Sequence, residues 1–221
     1  MSRQSNPTAD CFLSRTPRKG SPQERALRAC ITDERLESYD SEARRRSCPA
    51  LELYLWDHDM ASACMGDIAI LEVALRNHMD RRLSLISLEQ SGTEDWYMAG
   101  LNFDDRTQYQ IREAWNHLTP QQRNSHTHGH LVASLTFGFW RNLLEDGGTV
   151  HTKWPDQSRA DYENDLWRKG LDKTFYNGRQ YARATGERWT RRYALDIVKT
   201  VHALRNRVAH HEPQPKATLL K

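Results

Sequence analysis

The sequence predicts an all-α fold, and three observations support this prediction. Leu and Ala together account for 42 of the 221 residues, whereas Val and Ile account for 12. Residues with high helix propensity therefore far outnumber the β-branched residues that favour strands. The alternation of polar and apolar residues that is typical of strands is almost absent, and apolar residues recur instead at steps of three and four. We expect one bundle of about five helices.

The first two predicted helices differ in apolar content. The first, residues 22–42, is heavily charged and only weakly apolar. The second covers residues 51–88, with Gly66 as a candidate break point because glycine weakens a helix. Its apolar residues recur at helical spacing, which predicts a face buried in the core. That face comprises Ile68, Leu71, Leu75, Met79, Leu83 and Ile86.

Three further helices are predicted from their end signals. The third covers residues 105–118 and stops before Pro120, and the fourth covers residues 131–144 and ends at Gly147 and Gly148. Residues 149–186 are less regular, with one short helical piece at 162–171. The last helix begins near Thr190, a suitable N-cap, and Pro213 closes it.

The domain prediction has three parts. Residues 1–22 are rich in Ser, Pro and Arg and are predicted to be a disordered leader, residues 23–215 one all-α domain, and residues 216–221 a short tail. No apolar run is long enough for a transmembrane helix, and the N-terminus lacks the apolar core of a secretion signal. We therefore expect a soluble, cytoplasmic protein with no membrane partner.

No metal or other cofactor is predicted. The four cysteines are widely spaced and include no C-x-x-C pair, so reduced thiols are expected. His126, His128 and His130 form H-x-H-x-H, but no Cys, Asp or Glu stands nearby in the sequence to complete a metal shell. We interpret this stretch as a polar loop.

Positive charge is concentrated near the C-terminal end of the chain. Residues 176–211 contain eight Arg or Lys and two acidic residues, a local charge of +6 against a net +3 for the whole chain. Of the 32 basic residues, 25 are arginines, whose planar fork suits phosphate. A basic stretch of this kind favours a polyanionic partner.

The last predicted helix ends in a cluster of residues that could carry chemistry. Arg205, Asn206, Arg207, His210 and His211 follow one another within LRNRVAHHEP. Histidine can take and give a proton near neutral pH, and arginine can hold a phosphate or stabilise charge on it. These groups suffice for metal-free RNA cleavage, in which the substrate's own 2′-OH attacks the adjacent phosphate. A solvated basic helix end is the alternative, because Arg and His also suit the C-terminal end of the helix dipole.

Three sequence blocks resemble one known family in the same order. ALRNRVAHHEP resembles the C-terminal signature of the Abi-like (abortive infection) proteins of the HEPN superfamily, whose ribonucleases carry R-x(4–6)-H. Here the motif comprises Arg205 and His210, with Asn206 directly after the arginine. LEVALRNHMDRRL at 71–83 and LVASLTFGFWRNLL at 131–144 resemble the same family. The likeness spans about residues 51–213 and matches less clearly over 149–186.

The resemblance implies a HEPN-like helical bundle with additional helices and a metal-independent endoribonuclease activity, in phage defence or as a toxin. It gives His210 the role of general base or acid and Arg205 that of phosphate ligand, with Asn206 orienting the pair. The expected products are a 2′,3′-cyclic phosphate and a 5′-OH. Arg207 and His211 are supporting residues, and His211 has a claim to part of the His210 role. The alternative function is a non-catalytic RNA-binding protein, or a regulator partnered with an antitoxin or a small non-coding RNA.

Glu72, Arg76 and Asn77 lie in the block LEVALRNHMDRRL at 71–83. Glu72 interrupts the predicted apolar face, so its carboxylate needs a partner. One interpretation is an i,i+4 ion pair between Glu72 and Arg76. The other, which the resemblance favours, is that Glu72 orients Arg205 or His210 while Arg76 and Asn77 contact RNA.

Helix geometry leads to a prediction about assembly. Arg205 and His210 are five positions apart, which at about 100° per residue separates them by about 140° around a continuous helix. Either the helix unwinds before His210, or a second copy of the chain supplies the missing partner residues. HEPN ribonucleases commonly work as dimers, and we therefore expect an obligate homodimer with the active site at its interface.

Overall fold

The computed structural model describes residues 20–151, 157–210 and 212, and within these residues the all-α prediction is confirmed. The predicted leader and tail lie outside the described residues, apart from residues 20–22, where Pro22 begins a helix. None of the described helices combines the length and the apolar character that crossing a bilayer requires.

The described elements follow one another in a simple order. The α-helices are α1 (Pro22–Ile31), α2 (Asp33–Arg46), α3 (Ala50–Ser91), α4 (Asp105–His117), α5 (Pro120–Asn124), α6 (Thr127–Ser134), α7 (Phe137–Asn142), α8 (Gly178–Ala184) and α9 (Arg191–Ala209). Between α7 and α8 lie strands β1 (Thr149–His151) and β2 (Gln157–Arg159), a π-helix (Glu163–Trp167) and a 3-10 helix (Leu171–Thr174). The strands pair antiparallel, with Val150 opposite Ser158.

The described chain forms two compact units. The first takes the described residues before Ile68 and those from Arg205 onward, and the second takes Ile68–Leu204. Each unit has a hydrophobic core of its own. That residues 23–215 act as one domain stays a prediction.

The first unit is built around the packing of α2. Leu36, Tyr39 and Ala43 are buried on one face of α2 together with Ala50. The Tyr39 hydroxyl donates a 2.6 Å hydrogen bond to Oδ2 of Asp57, and burial together with this contact raises the tyrosine pKa. A polar pair thus anchors the edge of this small core.

The prediction of one helix over residues 22–42 is wrong, because the chain breaks at Thr32. Ser21 caps α1 by accepting a hydrogen bond from the Glu24 N–H, and α1 ends at Ile31. Thr32 has a φ of 72°, which no helical residue adopts, and α2 begins directly after it. The charged sequence on both sides carries no signal for this break.

Helix α3 runs through Gly66 without interruption, so the candidate break there is wrong. A helical glycine costs only about 1 kcal/mol, which a long packed helix can absorb. The predicted buried face is confirmed at Ile68, Met79, Leu83 and Ile86, and Leu75 is half-buried, whereas Leu71 is 53% exposed. Leu71 lies about 60° from Ile68 on the side opposite to Leu83, and therefore outside the contact face.

The third predicted helix is confirmed, and the fourth is divided into two. Helix α4 covers Asp105–His117 and is capped by Asp104, which accepts the Thr107 N–H at 2.8 Å. In the fourth segment α6 ends at Ser134, Leu135 is extended, and the Thr136 side chain caps α7. A single helix over residues 131–144 is therefore wrong, because Thr136 acts as an N-cap in the middle of the apolar run.

The region over 149–186 holds more structure than the sequence predicts. The predicted short helix at 162–171 appears as the π-helix and the start of the 3-10 helix, whereas α8 and the β1–β2 pair were not predicted. Outside this region, α5 was not predicted either. Trp189 packs against Trp167, Phe175 and Tyr193. A Cβ at Gly178 would lie 2.6 Å from the Trp189 ring. Glycine is therefore the residue that fits at the start of α8.

A buried arginine joins three segments of the second unit. Arg191, the first residue of α9, donates through Nη1 to the Leu144 carbonyl at 2.6 Å and through Nε to Glu163 Oε2 at 3.0 Å. Its Nη2 donates to Asp146, and the guanidinium holds the pKa of Asp146 below its usual value. The end of α7, the following turn and the π-helix therefore meet at the start of α9.

We expect Arg191→Met to lower the free energy of unfolding by at least about 2 kcal/mol, because it removes one buried cation and strands several acceptors. The exposed neighbour Arg192, which pairs with Asp196 within α9, supplies the control Arg192→Met. Urea unfolding followed by circular dichroism measures both. Arg191 lowers the pKa of Asp146, so the Asp146–Arg191 pair stabilises the fold fully at pH values above 3.8, the ordinary pKa of an aspartate. This contribution to the free energy of unfolding is lost as the pH falls through the lowered pKa. Equal losses in the two variants at neutral pH would contradict this prediction.

Candidate functional site

The last turn of α9 carries the R-x4-H motif. The helix starts where predicted, since the Thr190 hydroxyl accepts the Tyr193 N–H at 3.1 Å. At the other end the His210 N–H donates to the Asn206 carbonyl at 2.9 Å, and the Glu212 N–H donates to the Arg207 carbonyl at 2.9 Å. The helical i→i−4 bonding therefore reaches the His210 amide, and the i→i−5 bond from Glu212 marks the end of the helix.

The motif residues differ in exposure. Arg205, Asn206 and Arg207 are half-buried, Val208 is buried, and His210 is exposed at the turn that ends the helix. Nη1 of Arg205 lies 3.4 Å from Oδ1 of Asn206, which is a weak hydrogen bond between neighbours. That Asn206 orients Arg205 and His210 stays a prediction. His211 lies outside the described residues.

The helical backbone bears on the two geometries that the sequence left open. The His210 N–H still donates the helical hydrogen bond to Asn206 although α9 ends at Ala209, so the backbone does not unwind between Arg205 and Ala209. The angle of about 140° between Arg205 and His210 around the axis therefore remains. Within one copy of the motif, these two side chains point in divergent directions. That a second copy supplies partner residues stays a prediction.

Glu72, Arg76 and Asn77 belong to α3 in the second unit. Glu72 and Arg76 are half-buried and Asn77 is exposed. Nε of Arg76 lies 3.4 Å from Oδ1 of Asn77, and the ion pair between Glu72 and Arg76 stays a prediction. The orientation of Arg205 or His210 by Glu72 and the contact of Arg76 and Asn77 with RNA stay predictions.

The H-x-H-x-H stretch divides between a turn and a helix start. His126 has a φ of 53° and precedes α6, His128 lies in its first turn, and His130 is exposed. Nowhere in the described part of the chain do three His, Cys, Asp or Glu side chains come together as a metal site. The polar-loop interpretation overlooked His128, which the fold brings to two acidic residues distant in sequence.

His128 joins three segments of the second unit. Its Nε2 lies 3.0 Å from Asp80 Oδ1, and its Nδ1 lies 3.6 Å from Asp95 Oδ1. The same Asp80 oxygen accepts the indole N–H of the fully buried Trp96 at 2.8 Å. The Tyr97 hydroxyl donates to Asp95, and burial with this contact raises its pKa. This network holds α3, the chain after it and α6 together.

A contact between an arginine and a histidine lies in the second unit and was not predicted. Nη1 of Arg141 lies 3.1 Å from Nδ1 of His202, and the Phe137 ring packs edge-on against the same imidazole. Arg141 also donates to Asn142 Oδ1 at 2.7 Å. The sequence offered one signal for this contact, which is His202 on the apolar side of the last helix. Its partner Arg141 becomes apparent only when α7 packs beside that helix.

Comparisons with models of known protein families, with curated protein sequences and with solved structures find no match to this chain.

We expect Asp80→Ala to lower the free energy of unfolding by about 2 kcal/mol or more, because the buried Trp96 N–H loses its acceptor. Asp80→Asn keeps an oxygen at this position and should recover part of the loss. Glu89→Ala, on the exposed side of the same helix, is the matched control. Urea unfolding monitored by tryptophan fluorescence distinguishes them. The network has no structural role if Asp80→Ala unfolds at the same urea concentration as Glu89→Ala.

Proposed function

We propose that this protein is a metal-independent endoribonuclease of the HEPN type that acts in abortive-infection phage defence or as a toxin. One observation carries the proposal: an uninterrupted helix presents a half-buried Arg205 and, five positions later, an exposed His210 at its end. The resemblance of the surrounding residues to the Abi-like signature gives this arrangement its chemical interpretation. The cytoplasm is the proposed location.

The proposed reaction needs no group beyond protein side chains and the RNA. The 2′-oxygen forms a bond to the adjacent phosphorus while the bond from phosphorus to the 5′-oxygen breaks. One base removes the proton of the 2′-OH, and one acid gives a proton to the leaving 5′-oxygen. The products are a 2′,3′-cyclic phosphate and a 5′-OH, so atoms and charge balance without water or metal.

Each motif residue has a role that fits its environment. Exposure leaves the His210 imidazole accessible to a 2′-OH or a leaving oxygen. The half-buried guanidinium of Arg205 is less screened by water than a surface arginine, which strengthens its interaction with charge developing on the phosphate. Asn206 orients Arg205. Arg207 and His211 are supporting residues, Arg76 and Asn77 contact RNA, and Glu72 orients Arg205 or His210.

We propose that the active form is a homodimer. Because Arg205 and His210 diverge by about 140° on a helix that does not unwind, one motif alone cannot direct both side chains to one phosphate. A two-fold axis would bring two copies of the motif face to face. Arg205 of one copy and His210 of the other would then act on the same phosphate.

Non-catalytic RNA binding is the second candidate function, including a regulator partnered with an antitoxin or small non-coding RNA. The exposed basic residues of 168–188 favour it, because they would bind RNA whether or not cleavage follows. A magnesium-free assay on mixed RNAs separates the two functions. If neither wild type nor His210→Ala cuts, and both bind RNA equally, the enzyme proposal fails.

We expect His210→Ala to reduce cleavage by at least about 100-fold, because a general acid–base group is lost. His211→Ala should only weaken cleavage, since the R-x4-H spacing from Arg205 leads to His210. Release of a 2′,3′-cyclic phosphate from a labelled RNA in the presence of chelator measures both rates. Circular dichroism confirms that each variant is folded. An inactive His211→Ala protein beside an active His210→Ala protein would reverse the assignment.

The dimer proposal predicts complementation between two inactive variants. Arg205→Ala and His210→Ala proteins, refolded together, should recover cleavage well above either protein alone, because mixed dimers contain one intact set of side chains. Each variant refolded by itself is the control. Light scattering at micromolar concentration gives the oligomeric state, and a fully active monomer would rule out the composite site.

A further inference from the structure

Residues 168–188 of the second unit present two exposed tyrosines among basic side chains. Tyr176 is 91% exposed and Tyr181 is 57% exposed, although large aromatic side chains are usually covered. Four cations of the same segment are also exposed. We call this set the tyrosine surface: Lys169, Lys173, Tyr176, Tyr181, Arg183 and Arg188.

The charges of the tyrosine surface are not balanced by acidic partners within the part of the chain that the structure describes. No described contact pairs the side chains of Lys169, Lys173, Arg183 or Arg188 with an acidic residue. Asp172 is engaged by Arg179 at 3.2 Å, which leaves Glu187 as the other acidic residue of the segment. The surface therefore has excess positive charge that a polyanion can neutralise.

The backbone below the tyrosines is rigidly supported. Phe175 packs inward on Trp189, while Asn177 adopts a φ of 63°, so the chain turns directly after Tyr176. The Asp172–Arg179 pair joins the 3-10 helix to α8, and the Tyr193 hydroxyl lies 2.9 Å from Thr185 Oγ1 at the end of α8. The exposed rings thus project from a fixed platform, and little backbone ordering would be required on binding.

We propose that the tyrosine surface binds single-stranded RNA, with bases stacked on Tyr176 and Tyr181 and phosphates held by the four cations. Exposed aromatic rings between Lys and Arg side chains are what sequence-tolerant single-strand binding requires, because every base has a face that can stack. A duplex keeps its bases stacked on each other and cannot offer those faces. The choice of RNA rather than DNA rests on the proposed ribonuclease function, whereas the stacking surface itself does not.

The first test measures stacking in the full-length His210→Ala protein, so that cleavage does not interfere. The probe is a fluorescein-labelled single-stranded RNA of mixed sequence, about 12 nucleotides long, followed by anisotropy. Tyr176→Ala and Tyr181→Ala should each weaken binding about fivefold or more, whereas Tyr176→Phe, which keeps the ring, should bind within about twofold of the parent. Tyr109→Ala is the matched control, because Tyr109 is 58% exposed on α4 of the same unit. Binding by Tyr176→Ala that equals Tyr109→Ala overturns the proposal.

The second test measures the phosphate contacts. Lys173→Ala combined with Arg183→Ala should lower the slope of log affinity against log salt by about 1.4, since each single-strand phosphate contact contributes about 0.7. Arg81→Ala combined with Arg112→Ala removes two exposed cations of the same unit and should leave the slope unchanged. Equal slopes for the two double variants contradict the proposal, as does tighter binding to duplex than to single-stranded RNA. Binding to phosphatidylserine vesicles without binding to RNA would assign the surface to membranes instead.

Failure of this inference and failure of the proposed enzyme are distinguishable. If wild type binds single-stranded RNA through Tyr176 but cuts nothing under any RNA concentration, the endoribonuclease proposal fails and the tyrosine surface stands. If wild type cuts RNA and Tyr176→Ala changes neither affinity nor the concentration at which cleavage saturates, the tyrosine surface fails and the enzyme stands.

Discussion

The second unit depends on one buried guanidinium. Arg191 donates hydrogen bonds to the Leu144 carbonyl and to Asp146, which lie two positions apart after α7, and to Glu163 in the π-helix. A buried cation without partners costs several kcal/mol, so these two stretches of chain must close around the start of α9 for the unit to be stable. The same contact places the first residue of α9, and the buried Ala194, Leu195 and Val198 follow at helical spacing. Much of the core therefore depends on a charge rather than on an apolar residue.

The continuity of α9 imposes the main constraint on its chemistry. A helix fixes the direction of every side chain, and the bond from the His210 N–H to Asn206 shows that this regularity persists through the motif. The side chains of Arg205 and His210 therefore point in directions about 140° apart around the helix axis. An active site made from such a motif needs a further set of side chains, and a second copy of the same helix is the simplest source. The physical basis of the dimer proposal is therefore a rigid helix.

The limits of sequence interpretation are visible at particular residues. Met79, Leu83 and Ile86 were predicted to be buried and are buried, because a long apolar stripe at helical spacing is stable when it packs against the core. Thr32 and Thr136 break helices that were predicted to be continuous, and both stand at the N-cap of the helix that follows, a position that threonine favours over the helix interior. His128 was interpreted as part of a polar loop because its carboxylate partners stand 33 and 48 positions earlier in the chain. The residues next to His128 in the sequence do not show which distant residues it will contact after folding.

The sequence by itself determined the helical class, the start of α9 at Thr190, the buried stripe of α3 and the R-x4-H spacing, because propensity, capping and periodicity are local properties of the chain. The tertiary structure alone decided which charges are paired. It gave Arg191 and Asp80 their partners, left four cations close to Tyr176 in the chain without an acidic partner among the described contacts, and exposed Tyr176 while Phe175 beside it is half-buried. Pairing and exposure depend on segments that meet only after folding, so they cannot be obtained from the order of residues without the fold.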